Sequence, residues 1–512
     1  MGDERDDSVS FSETAIEAPG AEEVAVLPWP SLFRHRMVRR VESSDRYPWW
    51  VLWTVLAGLF SVGFTITILA VSLPRIATDL HSDTTTLTWV ITGPLLAFGV
   101  VGPLLGKAGD IWGQKRMFMF ALTLTLVFAG LTAIAWNASS LILFRILGAG
   151  EGAATGPASM ALIMMVFPAE DRVKAMGFWS LIGAGAPVLG VVAGGPIVEH
   201  FSWRLIYVAQ IPFTAVALIA AAIILPGRDK VQAHRIREPL DVLGVIFVGL
   251  GTASLLFALN RGPEWGWTSP GVVVAFLLSP VMLVAFIANE RRTRAPLIPL
   301  EYFKRRNFTF PIGVQFFSNF AYMGSFILTP LFLDEAFHYG ETKIGLLSIA
   351  RPLSFSLTAP VAGYLAVRWG ERRAAIIGCA FVVASMVAWS QVDPGASNWA
   401  VMGALALAGV GLGVSSPSMA ASVANAVEEE NLGIAGAAQQ LLTQVGIVAG
   451  IQLAETVQAA REHAVGVVQS YHEAYLLAGA ACVLGLVCAF FVKSAERGER
   501  EPRVAPLIRE AA

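Results

Sequence analysis

Apolar runs of about 20 residues, separated by short polar stretches, recur from residue 50 to residue 492. At about 1.5 Å of rise per residue, each run can cross the roughly 30 Å hydrocarbon core of a bilayer as a helix. The pattern predicts fourteen membrane helices, over 50–73, 87–106, 117–136, 139–165, 175–197, 205–226, 240–260, 271–289, 309–333, 344–366, 374–392, 398–420, 432–456 and 472–492. The first 48 residues are polar and lack a long apolar core, which argues against a cleavable signal peptide and for a disordered tail. A surface-lying helix over residues 31–41 is the alternative for part of that tail.

Composition agrees with the pattern. Of 512 residues, 55% are hydrophobic and 14% charged, with mean hydropathy +0.62, whereas a soluble domain carries roughly a quarter charged residues. With the N-terminus inside, 29 of the 36 basic residues fall in cytoplasmic segments, the asymmetry expected of cytoplasmic loops. Both termini are therefore expected in the cytoplasm. Cys379, Cys482 and Cys488 all fall within spans and read as apolar packing rather than a disulfide or metal set.

The segment "GKAGDIWGQKRM" at 106–117 has a second copy, "GYLAVRWGERRA", at 363–374. Gly106, Trp112, Gly113 and Arg116 match Gly363, Trp369, Gly370 and Arg373 at an offset of 257 residues. Two related six-span halves with two inserted spans account for this spacing, and internal repeats of this kind are typical of alternating-access transporters. The expected organisation is a cytoplasmic tail at 1–48, a six-span bundle at 49–226, a linker with two inserted spans at 227–308, a second six-span bundle at 309–492 and a C-terminal tail at 493–512.

These residues resemble the major facilitator superfamily, and within it the fourteen-span drug:proton antiporters. The superfamily loop pattern G-x-L-a-D-R-x-G-R-K is matched at Gly106, Asp110, Gly113 and Lys115, with Arg116 following. Ile111 and Gln114 depart from it, and the second copy has Val367 where the Asp would stand. The resemblance implies an all-α membrane protein of the major facilitator fold. It also implies a cytoplasmic gate, in which Asp110 pairs with a basic residue or with the positive N-terminus of a neighbouring helix. A plain positive-inside loop is the alternative.

Ionisable residues inside spans are costly and mark transport or proton relay. Arg145 and Glu151 share the fourth span, about 9 Å and 18 Å deep from the outer face. This segment resembles the superfamily's R-x-x-Q-G-x-G pattern, with Arg145 matched and Glu151 at the second Gly. Thr65 stands where the family's first-span Asp would be, so Glu151 is the expected proton site, assisted by Arg145. On a continuous helix the two lie about 240° apart, which predicts no direct pair. The competing reading gives Glu151 a purely structural partner. Three roles are open to Arg351: binding an anionic group, pairing with a membrane carboxylate, or snorkelling.

Gly183, Pro187, Gly190 and Gly194 place compact residues on one face of span five. Gly190, Gly194 and Gly195 match the antiporter signature G-x-x-x-G-P-x-x-G-G, with Ala186 at its first Gly and Val191 at its Pro, and by resemblance this partial match favours efflux. Gln315, Asn319 and Tyr322 share a face of span nine, and Gln440 and Thr443 a face of span thirteen. Such stripes line a cavity or bond between helices. There is no phosphate-binding G-x-x-x-x-G-K-[ST] loop, metal-ligand spacing or nucleophile motif.

The sequence thus predicts a non-enzymatic, cofactor-free, proton-driven exporter of small hydrophobic or amphipathic compounds. It is expected as a monomer in a bacterial inner membrane, with lipids and protons as partners and no nucleic acid. A lipid or metabolite transporter on the same scaffold and a non-transporting membrane sensor are the alternatives.

Overall fold

A computed structural model describes residues 46–82, 84–87, 89–169, 171–183, 185–186, 201–226, 241–293 and 296–494. The described residues form helices joined by short turns: α1 Tyr47–Asp79, α2 Trp89–Trp112, α3 Gln114–Ala133, α4 Ala138–Gly148, α5 Gly150–Val166 and, after an unlabelled helical stretch at 172–183, α6 Arg204–Ile224. There follow α7 Val242–Trp265, α8 Pro270–Glu290, α9 Arg306–Glu335, α10 Glu341–Ser348, α11 Ala350–Trp369, α12 Glu371–Trp389, α13 Asn398–Asn425, α14 Leu432–Val465 and α15 Val467–Phe491.

Ten helices among the described residues are long and apolar enough to cross a membrane, and Tyr47–Gly63 is a shorter apolar one. Several of the fourteen expected spans stand outside that ten for identifiable reasons. The expected span 139–165 divides into α4 and α5 at Ala149, where glycines at 148, 150 and 152 weaken the helix. The expected span 175–197 lies largely outside the described residues. Asn137 starts α4 with a reciprocal cap: its side chain accepts the Ser140 N–H at 2.8 Å, and the Ser140 hydroxyl accepts the Asn137 N–H at 3.2 Å.

Helices α1, α3, α5 and α6 pack together, and α9 and α11 to α15 form a second group. The groups meet where α14 lies against α2 and α5. The internal repeat is visible in the backbone: Gly113 and Gly370, 257 positions apart, adopt φ of 100° and 83° and each leads directly into a helix. A side chain is strained at such angles, which is why glycine recurs there.

Candidate functional site

Asp110 lies at the end of α2 and is buried. Its Oδ1 accepts the N–H of Gly433 at 2.8 Å and the Gln114 side-chain amide at 2.7 Å, while its Oδ2 accepts the N–H of Ile434 at 2.8 Å. Those amides open α14, so the carboxylate caps a helix of the other group and meets the positive end of its dipole. The helices cross closely: a β-carbon on Gly106 would stand 2.8 Å from the Gly433 carbonyl oxygen, and one on Gly433 would stand 2.6 Å from Asp110 Oδ1. Lys115 donates to the Leu225 carbonyl at 2.6 Å, and Arg116 is exposed.

A second tie joins the groups beside this crossing. Arg172 donates to Asn425 Oδ1 at 2.7 Å and lies 3.7 Å from a Glu429 carboxylate oxygen. Nearby, Tyr302 and Arg305 both donate to Glu428, and Arg305 also reaches the Ala426 carbonyl at 2.6 Å. The Tyr302 hydrogen bond, joined by that of Arg305, draws the Glu428 carboxyl down to about 2. Burial, followed by the neighbouring Glu428, pushes the Tyr302 hydroxyl above its ordinary value.

Glu151 is buried in the first turn of α5, with Arg145 Nη1 4.0 Å from its Oε1. The expectation that these two do not meet is corrected. It rested on helical phase alone, whereas Ala149 keeps near-helical angles (φ −56°, ψ −25°) and the long Arg145 side chain reaches toward Glu151 across that turn. Arg145 also faces the Tyr207 ring of α6 at 6.0 Å, and its Nε is buried without a hydrogen-bond partner among the described residues. At 4.0 Å the pair stands at the outer limit of an ion-pair contact.

The α9 stripe is tied up in local hydrogen bonds. Gln315 donates to the Ser416 carbonyl at 3.2 Å, Asn319 to the Gln315 carbonyl at 2.8 Å, and Tyr322 is buried. Arg351 is fully buried, which removes snorkelling, and makes no ion pair with a carboxylate among the described residues. It donates to the carbonyls of Tyr322 at 3.2 Å and Ser325 at 3.4 Å, and to Thr329 Oγ1 at 3.2 Å. These contacts pin α11 to α9 within one group. Gln440 and Thr443 are half-buried on α14, and the Gln440 amide lies directly over Gly156 of α5.

Of the span-five set, Gly183 is exposed, with no atom within 4 Å of a β-carbon built there among the described residues, so it makes no close crossing. Pro187, Gly190, Gly194 and Gly195 lie outside the described residues. Arg172, Asn425 and Tyr207 carry contacts that the sequence does not single out, and Gln114, there only a departure from the loop pattern, donates to Asp110. The repeat held one clue, since Gln114 aligns with Glu371 at the 257-residue offset.

Residues 55–451 match the Major Facilitator Superfamily profile, and residues 311–510 match it a second time. The chain belongs to the Major Facilitator Superfamily. An uncharacterized MFS-type transporter of Bacillus subtilis, YhcA, is 30% identical over 69% of this chain, and the match spans 65% of its length, just under two thirds. The multidrug transporter protein MdtP of the same organism is 26% identical over 80% of this chain and 74% of its own. Several relatives at about 25–30% identity are named for multidrug or antibiotic resistance. A solved double-tryptophan mutant of XylE shares the fold at TM-score 0.63 and 12% identity, covering 88% of this chain and 97% of that one. The superfamily consists of transporters, so the chain is a multi-pass membrane transporter and not an enzyme.

Proposed function

We propose that the chain exports small hydrophobic or amphipathic compounds in exchange for protons, by alternating access. The observation that carries this reading is the capping of α14 by Asp110 across the two helix groups. A cap made only when the cytoplasmic ends are together favours one state by its own interaction free energy and is lost when they part. Glu151 is the proposed proton site, since it is the buried carboxylate of α5, a helix that also packs on α14. Its protonation therefore bears on the helix that Asp110 holds. The names of relatives favour efflux over uptake.

Fourteen spans, both termini in the cytoplasm of a bacterial inner membrane, and a monomer without cofactor complete the reading. The span count is supported by α1, α2, the α4–α5 pair and the helical stretch at 172–183, added to the ten. Gln440 and Thr443 are the proposed cargo-facing polar groups of α14, and uncharged groups of this kind suit apolar or weakly polar cargo. The test is ethidium movement into proteoliposomes under an imposed pH gradient, for the wild type, Glu151→Gln and Asp110→Asn. Gradient-driven uptake that Glu151→Gln abolishes while the protein remains folded supports the reading. Unchanged uptake in Glu151→Gln moves proton coupling elsewhere.

A further inference from the structure

The inserted helices α7 and α8 touch the two groups in chemically different ways. Helix α7 packs along both α2 and α14, with α8 against its outer side. Toward α2 the contacts involve charge at both ends of the pair. Arg261 of α7 is buried, paired with Glu264, and lays its guanidinium over the Trp89 ring at the start of α2, 4.4 Å from the centroid. At the other end, Lys107 of α2 and Glu290 of α8 are both buried. Glu290 also accepts the Leu297 N–H at 3.1 Å.

Toward α14 the surface is apolar. Val248 and Phe286 join a cluster with Ala435, Ala438 and Leu441, and Leu256 and Leu259 join one with Val445, Val448 and Ala449. Among the described residues no hydrogen bond or ion pair joins α7 or α8 to α14. Polar ties to the second group begin only beyond α8, where Tyr302 and Arg305 reach Glu428.

This asymmetry decides which way the pair moves. If α2 and α14 shift against each other, a helix lying on both must follow one. Lifting the buried Arg261 guanidinium off the Trp89 ring that covers it is costly, since a desolvated cation–π contact is stronger than an exposed one, whereas an apolar helix face slides over another, or meets lipid, with little loss because lipid tails are equally apolar. We propose that α7 and α8 travel with α2 and slide over α14 as a moving seal, keeping lipid out of the seam where Gly106 crosses α14. The inference rests on the alternating-access reading. It implies that hydrophobic cargo does not reach the pathway from the bilayer through the α2–α14 seam.

The test uses the full chain in proteoliposomes, with Cys379, Cys482 and Cys488 replaced by Ala, ethidium as cargo and a reversible bis-methanethiosulfonate cross-linker. Three cysteine pairs are compared: Trp89→Cys with Arg261→Cys, Leu256→Cys with Val445→Cys, and Arg172→Cys with Asn425→Cys. Cross-linking the first pair is expected to leave transport within about twofold, and cross-linking the second to reduce it at least about tenfold, because it ties the seal to a moving helix. Dithiothreitol should restore transport, which separates locking from misfolding. The third pair joins the two groups directly and should also block transport. If it blocks and the second pair does not, the seal is overturned while rocking stands. Blockage by the first pair alone shows that the helices travel with α14 instead. If the third pair leaves transport intact, the rocking reading falls and the seal with it.

Discussion

The carbonyl oxygen of Gly433 lies 2.8 Å from the place a β-carbon on Gly106 would occupy, and the Ala437 β-carbon is nearer still. A backbone carbonyl and an alanine β-carbon have no rotamer by which to swing away. Gly106→Ala is therefore expected to hold the cytoplasmic ends apart. Overpacking of this kind costs about 1–3 kcal/mol, enough to reduce the closed population roughly 5- to 150-fold. Labelling of a cysteine at Leu432 by a membrane-impermeant maleimide in inside-out vesicles should rise accordingly, while thermal stability in detergent changes little.

Asp110 and Gln114 separate charge from packing at the same crossing. Asp110→Asn removes the negative charge and turns one acceptor into a donor facing the Ile434 or Gly433 N–H. A hydrogen bond to a charged group contributes about 1.5–3 kcal/mol and a neutral one about 0.5–1.5 kcal/mol. Asp110→Asn should thus open the cytoplasmic side more than Gln114→Ala does, by the same maleimide measurement. Equal effects would mean that the α14 dipole contributes nothing.

Gly156 offers a contrast with Gly106. A β-carbon there would meet the Gln440 amide, with Cδ at 2.7 Å, and that group is the far end of a flexible side chain. Gly156→Ala should therefore be milder than Gly106→Ala, and Gln440→Ala should relieve it. The check is ethidium transport by the two single variants and the double variant. Lack of relief would mean that Gln440 is not what Gly156 accommodates.

The Glu428 network fixes a pH window. Its folded carboxyl titrates at about 2, below the ordinary value near 4.5, so its contribution is fully present above the unfolded value and disappears as pH falls through about 2. Tyr302 titrates above its ordinary value and remains a hydrogen-bond donor throughout. The melting-temperature difference between wild type and Glu428→Gln should be constant from pH 5.5 to pH 8 and narrow only in stronger acid. A difference that changed near neutrality would assign this network to proton coupling.

What the sequence made legible follows from how far each signal reaches. Glycines at 106, 113 and 370 and the Asp110 carboxylate could be read because backbone strain and charge placement are local, and the repeat offset linked the two loops. The partner of Asp110 was readable only as one of two kinds, a basic residue or a positive helix end, since Gly433 and Ile434 lie more than 300 residues away. Arg145 and Glu151 failed for the opposite reason: a local helical-phase argument left out how far a long arginine side chain reaches. The α9 stripe was equally compatible with cavity lining and interhelical bonding, and only the positions of Ser416 and Arg351 show which bonds form.

The Arg145–Glu151 pair can be divided into structural and coupling parts. Breaking a buried ion pair at one partner costs about 3–5 kcal/mol, because the survivor is left unpaired. Glu151→Gln alone should therefore lower both melting temperature and transport, an ambiguous result. The double variant Arg145→Gln with Glu151→Gln removes both charges together and should recover most of the stability. If Glu151 carries the proton, the double variant stays folded yet moves ethidium only down its own gradient, with no response to imposed pH. If the pair is structural, stability and pH-driven transport return together.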